Sequence, residues 1–287
     1  MSTNHHIEPV PPERWRKYLT DYNEGLGLVY ERLMLNDFLE QLQKKYSLAN
    51  VLEAPIFGMA GISGINSIVL ARNGANVTLV DDNAERLAGI HRIWQELGLD
   101  ARCIHLDPLI ELPFPDDTFD LAWNWAGLWY LPDPERLIGE LVRVSRSLIF
   151  IAMPNRAQVG YLMRKFVLER DFVRYVDESW ANIGRVKNIL RDWECKIIDE
   201  GVLDVPPWPD TVMPASEVLK RLGIRSQEMQ SRFQGNGWNW SSMDYYSGKK
   251  PELKAQMNKY AFLERAPLPW QIKSIWAHHR YIVAQVR

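Results

Sequence analysis

The sequence predicts an α/β fold with a mostly parallel, seven-stranded sheet that carries helices on both faces. Short apolar segments alternate with helical segments at intervals of roughly 20–30 residues, which is typical of βαβ units. Acidic or polar residues follow the ends of several predicted strands, among them Glu53, Asp81 and Asp107. Ligands of open α/β sheets bind at the carboxyl ends of the strands, so this edge is the expected functional site.

The individual elements follow from apolar periodicity and from residues that begin or end helices. Gly74 and Gly98 stand where a helix commonly ends on a residue of positive φ. The predicted strands are residues 50–54, 77–80, 101–106, 119–123, 148–152, 196–198 and 281–286. The predicted helices of this part of the chain are residues 65–73, 84–97, 134–144 and 161–191.

The chain divides into a central core and segments that are expected to cover it. Residues 1–12 are polar and Pro-rich, which predicts a disordered tail. Residues 13–47 have helical periodicity and are predicted to form an N-terminal helical lid. The core covers residues 48–201 and ends with a final strand in residues 277–287. Between these parts, residues 202–276 form a Trp- and Pro-rich substrate or cap insert.

Composition excludes several classes of partner. The net charge is −2, and no cluster of uncompensated Lys and Arg indicates a nucleic acid partner. No apolar run approaches the roughly 20 residues that a membrane-spanning helix needs. Cys103 and Cys195 lie in apolar segments and are expected to be reduced thiols, which favours the cytoplasm. The spacing of Cys and His predicts no metal site, and the oligomeric state stays open.

Two features at the predicted sheet edge have a chemical meaning. The turn after the first strand contains Gly58, Gly61 and Gly64, and glycine allows a ligand to approach the backbone closely. Asp81 closes the second strand, with Asp82 beside it. A carboxylate can accept hydrogen bonds from both hydroxyls of a diol, so this position suits a ribose-containing ligand.

The stretch VLEAPIFGMAGISGINSIVLARNGANVTLVDDN resembles the first two motifs of class I S-adenosylmethionine-dependent methyltransferases. LPFPDDTFDL followed by YLPDPERLIGEL is similar to the downstream motifs of the type 11 group. AHHRYIVAQV resembles the last strand of that fold. The resemblance implies a Rossmann-like methyltransferase fold, S-adenosyl-L-methionine as cofactor, and in-line transfer of a methyl group.

The resemblance also implies roles for residues. Asp81 would hold the ribose, and Asp107 would reach the adenine amine with Leu106 beside the ring. Glu53 would orient the glycine loop, although it could simply cap the following turn. The predicted cofactor-binding residues are Glu53, Gly58, Gly61, Asp81, Asp82, Asp107, Leu106, Asn124, Trp125 and Tyr22.

The first motif departs from the family pattern. Pro55, Phe57 and Met59 occupy places where the family has glycines. Either the loop is an enlarged working version or the pocket has changed its ligand. We favour the first interpretation because Asp81 and Asp107 are in place.

The candidate general bases are His278, His279, Tyr245 and Tyr246, although a histidine pair at a strand edge is an equally good interpretation of the first two. The Trp-rich insert predicts a pocket for an apolar or aromatic small molecule. The alternative function is a non-catalytic or repurposed protein that binds a nucleotide or an S-adenosylmethionine derivative.

Overall fold

A computed structural model of the chain describes residues 7–207 and 240–287. Its seven-stranded sheet has the order β3-β2-β1-β4-β5-β7-β6. Every neighbouring pair is parallel except those of β7, which runs antiparallel to β5 and β6. The predicted fold class is therefore confirmed. The strands are β1 Asn50–Glu53, β2 Asn76–Asp81, β3 Arg102–His105, β4 Phe119–Trp125, β5 Ser145–Pro154, β6 Lys196–Leu203 and β7 His279–Gln285.

Helices cover both faces of the sheet and part of its carboxyl edge. The helices before β4 are α1 Glu13–Arg16, α2 Leu26–Tyr46, α3 Ile68–Arg72 and α4 Ala84–Glu96. Those after β4 are α5 Pro134–Val144, α6 Val159–Met163, α7 Ile183–Asp192, α8 Ser242–Tyr246, α9 Leu253–Asn258, α10 Phe262–Arg265 and α11 Trp270–Lys273. None of the helices within the described ranges is long and apolar enough to span a membrane.

The helices α4 and α5 lie where the sequence predicts them, whereas α3 begins at Ile68, three residues later than expected. Asn83 accepts a hydrogen bond from the backbone N–H of Arg86 and so caps α4, while Asp133 caps α5 in the same way. Gly74 and Gly98 follow α3 and α4 with φ of +90° and +67°, the conformation that glycine adopts at low cost.

The segment of residues 161–191 is not the single helix that its periodicity predicts. After α6 the chain forms a π-helical turn at Arg164–Leu168 and short 3₁₀ helices before α7 begins. Asp177 and Asn182 accept hydrogen bonds from backbone N–H groups two or three residues ahead. Such local side-chain bonds begin new helices instead of continuing an old one.

The N-terminal segment packs against the carboxyl edge of the sheet. Trp15 and Tyr18 are buried, and Glu8 donates a backbone hydrogen bond to the carbonyl oxygen of Arg174 over 2.9 Å. Residues 7–12 of the predicted tail therefore contact the body of the protein. Residues 1–6, and residues 208–239 of the predicted insert with Trp208 and Trp238, lie outside the described residues.

Candidate active site

An open cleft of about 1670 Å³ lies at the carboxyl edge of the sheet, between the N-terminal segment and the loops that follow β2, β3 and β4. Phe57, Asp82, Arg86 and Asp107 line one side of it. Aromatic residues from other parts of the chain also line it, together with charged residues. The aromatic residues are Trp15, Tyr130, Tyr175 and Trp180, and the charged residues include Asp133, Arg156, Glu178 and Arg185.

Asp81 lies beneath this cleft and not in its wall. Its side chain is fully buried, and Arg86 from the first turn of α4 bonds both carboxylate oxygens. The backbone N–H of Asn83 donates to Asp81 Oδ1 over 2.9 Å. The guanidinium carbon of Arg86 also lies 4.1 Å from the centre of the Phe57 ring. The Asp81 carboxylate is therefore satisfied by the protein itself.

Asp82 and Asp107 do face the cleft. The Asp82 side chain is 45% exposed, and one of its oxygens accepts a hydrogen bond of 2.8 Å from Arg86. Asp107 is exposed just beyond the end of β3. Leu106 is half-buried between them and donates its backbone N–H to the carbonyl oxygen of Asp81 over 2.9 Å. The structure thus brings together Asp81, Asp82, Leu106 and Asp107.

The loop after β1, residues 54–67, is mostly buried and lies apart from the cleft except at Phe57. The backbone N–H of Gly58 donates to the Ser63 hydroxyl over 3.2 Å. Gly61 has a φ of +76°, and a Cβ there would lie 2.9 Å from Glu24 Oε1. Glycine at position 61 is therefore explained by contact with the Glu24 carboxylate, and neither Gly58 nor Gly61 lines the cleft.

Glu24 and Arg32 form a buried ion pair against this loop. Arg32 Nη2 donates to Glu24 Oε1 over 2.6 Å, and the side chains are 7% and 0% exposed. Glu24 also accepts the backbone N–H groups of Ile62 and Ser242. Arg32 donates to the Ile62 carbonyl and to the Asn66 side chain. One ion pair thus joins the N-terminal segment, α2, the loop and α8.

Glu53 continues the same network at the end of β1. Its carboxylate accepts hydrogen bonds from Asn66 over 3.2 Å and from the Ser67 hydroxyl over 2.6 Å. Burial raises the Glu53 pKa to about 7, although both hydrogen bonds oppose this shift. Glu53 therefore contacts the loop from the inside and does not line the cleft.

The other predicted cofactor-binding residues also lie outside the cleft wall. Asn124 is buried within β4, donates to the Pro55 carbonyl over 2.9 Å and accepts the Gly127 N–H over 3.0 Å. Trp125 is buried and donates to Glu31 on α2 over 2.7 Å. Tyr22 donates to Glu96 over 2.9 Å.

None of the predicted general bases lies in the cleft wall. His279 lies behind Trp125, with ring centres 4.6 Å apart, and its Nδ1 is 3.7 Å from Glu31. His278 Nδ1 is 3.7 Å from the buried Asp204. Tyr246 is buried and hydrogen-bonded to Asn36, and burial raises its pKa to about 12.

Tyr245 is half-buried, next to the ring of Tyr246. Among these four candidates, His279 is the one whose position behind Trp125 brings it nearest to the end of β4.

Comparison with known proteins identifies the domain. Residues 58–149 match the family model of a methyltransferase domain. The chain is 30% identical over 118 residues to a demethylmenaquinone methyltransferase of Clavibacter sepedonicus, covering 39% of this chain and 44% of that protein. It is 33% identical over 82 residues to a phosphatidylethanolamine N-methyltransferase of Cereibacter sphaeroides, covering 28% of this chain and 40% of that protein.

Residues 58–149 are therefore similar to a methyltransferase domain. The chain spans less than half the length of the curated relatives that it matches. A putative sarcosine dimethylglycine methyltransferase from Galdieria sulphuraria shares this fold, with a TM-score of 0.51 and 12% identity over 87% of this chain and 84% of that one. The [4+2]-cyclase SpnF shares it with a TM-score of 0.50 and 15% identity over 87% and 80%.

S-adenosylmethionine is the cofactor that the family match implies, and the cleft of the methyltransferase domain fits it in part. Asp82 and Asp107 offer carboxylates to hydroxyl or amine hydrogens. The rings of Phe57 and Trp15 are buried, with the Arg86 guanidinium carbon 4.1 Å and 5.4 Å from their centres. Asp81 does not present an oxygen in this arrangement because Arg86 holds both of them. A ribose diol would reach Asp81 only after Arg86 had moved away.

Sequence reasoning missed several residues of the methyltransferase cleft. The position of Arg86, in the first turn of the helix after Asp81, was the available signal, because that turn faces back towards the end of the strand. The sequence offers no comparable signal for Trp15, Tyr175 and Trp180. They reach the cleft from segments whose packing depends on the whole fold.

Proposed function

We propose that this protein is an S-adenosylmethionine-dependent methyltransferase that transfers a methyl group to an apolar or aromatic small molecule. One observation carries the proposal. A single cleft of a methyltransferase domain joins the carboxylates of Asp82 and Asp107 to an aromatic wall that contains Tyr130, Tyr175 and Trp180. The first part suits a nucleoside, and the second suits a flat or apolar acceptor.

The chain's own residues would act mainly by positioning. Asp82 would accept hydrogen bonds from the ribose, and Asp107 would accept one from the adenine amine, with Leu106 beside the ring. When bound, the cofactor supplies an electrophilic methyl group. The aromatic wall would hold the acceptor in line with that group and exclude water, which is the main requirement of such a transfer.

The choice of a small apolar acceptor rests on the cleft and on the relatives. Their names give demethylmenaquinone and phosphatidylethanolamine as acceptors, and both are amphiphilic molecules. A net charge of −2 does not favour a nucleic acid. Both cysteines are free thiols, which is in keeping with a cytoplasmic protein. The N-terminal segment with Trp15 would serve as the lid over the cofactor.

A second candidate is a repurposed binding protein, and one contact favours it. Arg86 neutralises Asp81, the residue expected to hold the ribose. Arg86 also lies over Phe57, which stands where the family has a glycine. The same fold occurs in a [4+2]-cyclase, which illustrates that fold alone does not fix a reaction.

Two measurements separate these candidates. Isothermal titration with S-adenosylmethionine and S-adenosylhomocysteine should show saturable binding. Asp107→Asn should weaken it, whereas Asp100→Asn, an exposed residue at the opposite edge of the sheet, should not. No heat with either ligand would favour the repurposed protein.

A labelled-methyl screen then tests the acceptor class. Phenols, quinones, thiols, fatty acids, phospholipids, tRNA and peptides are offered separately. The proposal expects label in an apolar or aromatic small molecule. Label in tRNA or peptide alone would contradict it.

A further inference from the structure

An apolar stripe faces outward on the segment that follows β5. Val159, Leu162 and Phe166 are 51%, 43% and 58% exposed. Their spacing of three and four residues places them on one face of the helical segment. Tyr161 and Leu168 point the other way and are buried. One apolar face of this helical segment therefore packs into the core, and a second apolar face is exposed to solvent.

A neighbouring segment extends this surface. Ile272 and Ile275, at and just after α11, are 43% and 48% exposed. The backbone N–H of Val159 donates to the carbonyl oxygen of Ile275 over 3.3 Å, so the two segments lie side by side. We call the surface of Val159, Leu162, Phe166, Ile272 and Ile275 the apolar patch. Contiguous apolar patches on a protein surface often mark a binding site.

Basic side chains accompany the apolar patch. Residues 156–178 contain five Arg or Lys and four acidic residues, and Lys165 is paired with Glu178 over 2.7 Å. The buried pair of Arg164 and Glu169 cancels one charge of each sign, and Asp171 is bonded to Arg14 over 2.6 Å.

Arg156, Arg170 and Arg174 are exposed in this segment. The Arg170 guanidinium donates to the Phe166 carbonyl over 2.7 Å, which holds a positive charge beside the most exposed apolar residue of the stripe.

We propose that the apolar patch docks this protein on the surface of a bilayer that contains anionic lipid. Apolar side chains bordered by Arg and Lys are the combination that binds an interface, because the side chains enter the acyl region while the cations meet phosphates. A partner protein would need its own acidic rim, and a second copy of this chain would bring like charges together. The charge of the border therefore favours anionic lipid.

The position of the apolar patch fits this role. Arg156 lines the cleft and lies three residues before Val159. Docking would turn the mouth of the cleft towards the bilayer, from which an amphiphilic acceptor could enter directly. The docking itself does not depend on the proposed reaction, because it can be measured without cofactor or turnover.

The test is flotation of the full chain with vesicles of phosphatidylcholine alone and of phosphatidylcholine mixed with phosphatidylglycerol. We expect binding to the mixed vesicles, loss of most of it at high salt, and a decrease of about tenfold or more in Leu162→Ser/Phe166→Ser. Trp193→Ser is the matched control, since Trp193 is 51% exposed and lies before β6 at the opposite edge of the sheet. It should float as the wild type does.

A second pair of variants tests the charges. Arg170→Gln/Arg174→Gln should weaken binding to the mixed vesicles only, whereas Arg191→Gln at the opposite edge should not. A wild type that fails to float with mixed vesicles, or a Leu162→Ser/Phe166→Ser variant that floats unchanged, overturns the proposal. So does size-exclusion evidence of a wild-type dimer that this variant dissociates, without any flotation. Circular dichroism confirms that each variant is folded.

Discussion

The loop after β1 and the loops after β2 and β3 lie at the same edge of the sheet, yet they are built differently. Residues 54–67 are mostly buried and held by Glu24, Arg32 and Glu53. Asp82 and Asp107 stand on the open side. In this methyltransferase domain, therefore, one half of the edge is closed by its own side chains and contributes to stability. The other half has acceptors available for a ligand.

The largest effect, on the free energy of unfolding, is expected from a change in the closed half. Arg32→Met would leave the Glu24 carboxylate buried without its cation. Removing one partner of a buried ion pair commonly costs about 3–5 kcal/mol, and we expect a loss of that size in the free energy of unfolding. Urea unfolding measures it. Arg92→Met is the control, because the Arg92 side chain is 61% exposed.

A loss from Arg32→Met no larger than that of the control would show that the closed half is not held by the ion pair. The double variant Glu24→Gln/Arg32→Met sharpens the test. The double variant should lose less free energy of unfolding than the two single variants lose in sum. When both residues are replaced, no buried charge is left without its partner.

A smaller effect is expected from the carboxyl group of Glu53. Its pKa is raised from 4.5 to about 7 in the folded protein. The folded state therefore holds this proton more tightly than the unfolded state, and the free energy of unfolding should fall as the pH rises from about 4.5 to 7. Glu53→Gln removes this titration.

Between about pH 5 and pH 8, wild type should lose about 2–3 kcal/mol more than Glu53→Gln. Thermal and urea unfolding at both pH values measure the difference. The exposed Glu85, which is bonded to Arg16, provides the control variant Glu85→Gln, which should follow the wild type. Parallel pH profiles for wild type and Glu53→Gln would mean that Glu53 is ionised throughout.

The sequence predicts the sheet better than it predicts the site, for a physical reason. Strand order and helix ends depend on local apolar patterns and caps, such as Asn83 and Gly98. The state of a side chain at the site depends on what packs against it from elsewhere. Asp81 ends β2 as expected, but its availability is decided by Arg86.

Gly61 shows the same limit. A glycine in this position is readily interpreted as a close approach to a ligand. The group that approaches Gly61 closely is instead the side chain of Glu24, which lies in the segment before the sheet. The Trp-rich insert contributes little that can be compared, because residues 208–239 lie outside the described residues.

Arg86 lies between the two halves, and its removal tests whether Asp81 can join the open half. Arg86→Met frees both Asp81 oxygens while keeping apolar contact with Phe57. If Asp81 is the ribose acceptor, the affinity for S-adenosylhomocysteine should rise by about tenfold, since hydrogen bonds to a charged group are worth about 1.5–3 kcal/mol. Isothermal titration measures the change.

Arg16→Met, whose guanidinium pairs with Glu85, should leave the affinity unchanged. A lower affinity in Arg86→Met would instead assign Arg86 itself to the ligand and remove Asp81 from the site. The melting temperature of Arg86→Met should also fall, because the Asp81 carboxyl group loses its buried cation.

The smallest effect is expected at Asp82, on the open half. Its carboxylate is 45% exposed and already shares one oxygen with Arg86, so water competes for every bond that it makes to a ligand. Asp82→Asn keeps the shape and removes the charge. A net hydrogen bond of about 0.5–1.5 kcal/mol corresponds to a loss of affinity of roughly two- to tenfold for S-adenosylhomocysteine. Titration should place this loss below that of Asp107→Asn, because among the described residues no cation is paired with the exposed Asp107. An unchanged affinity in Asp82→Asn would contradict the proposal that Asp82 accepts a hydrogen bond from the ribose.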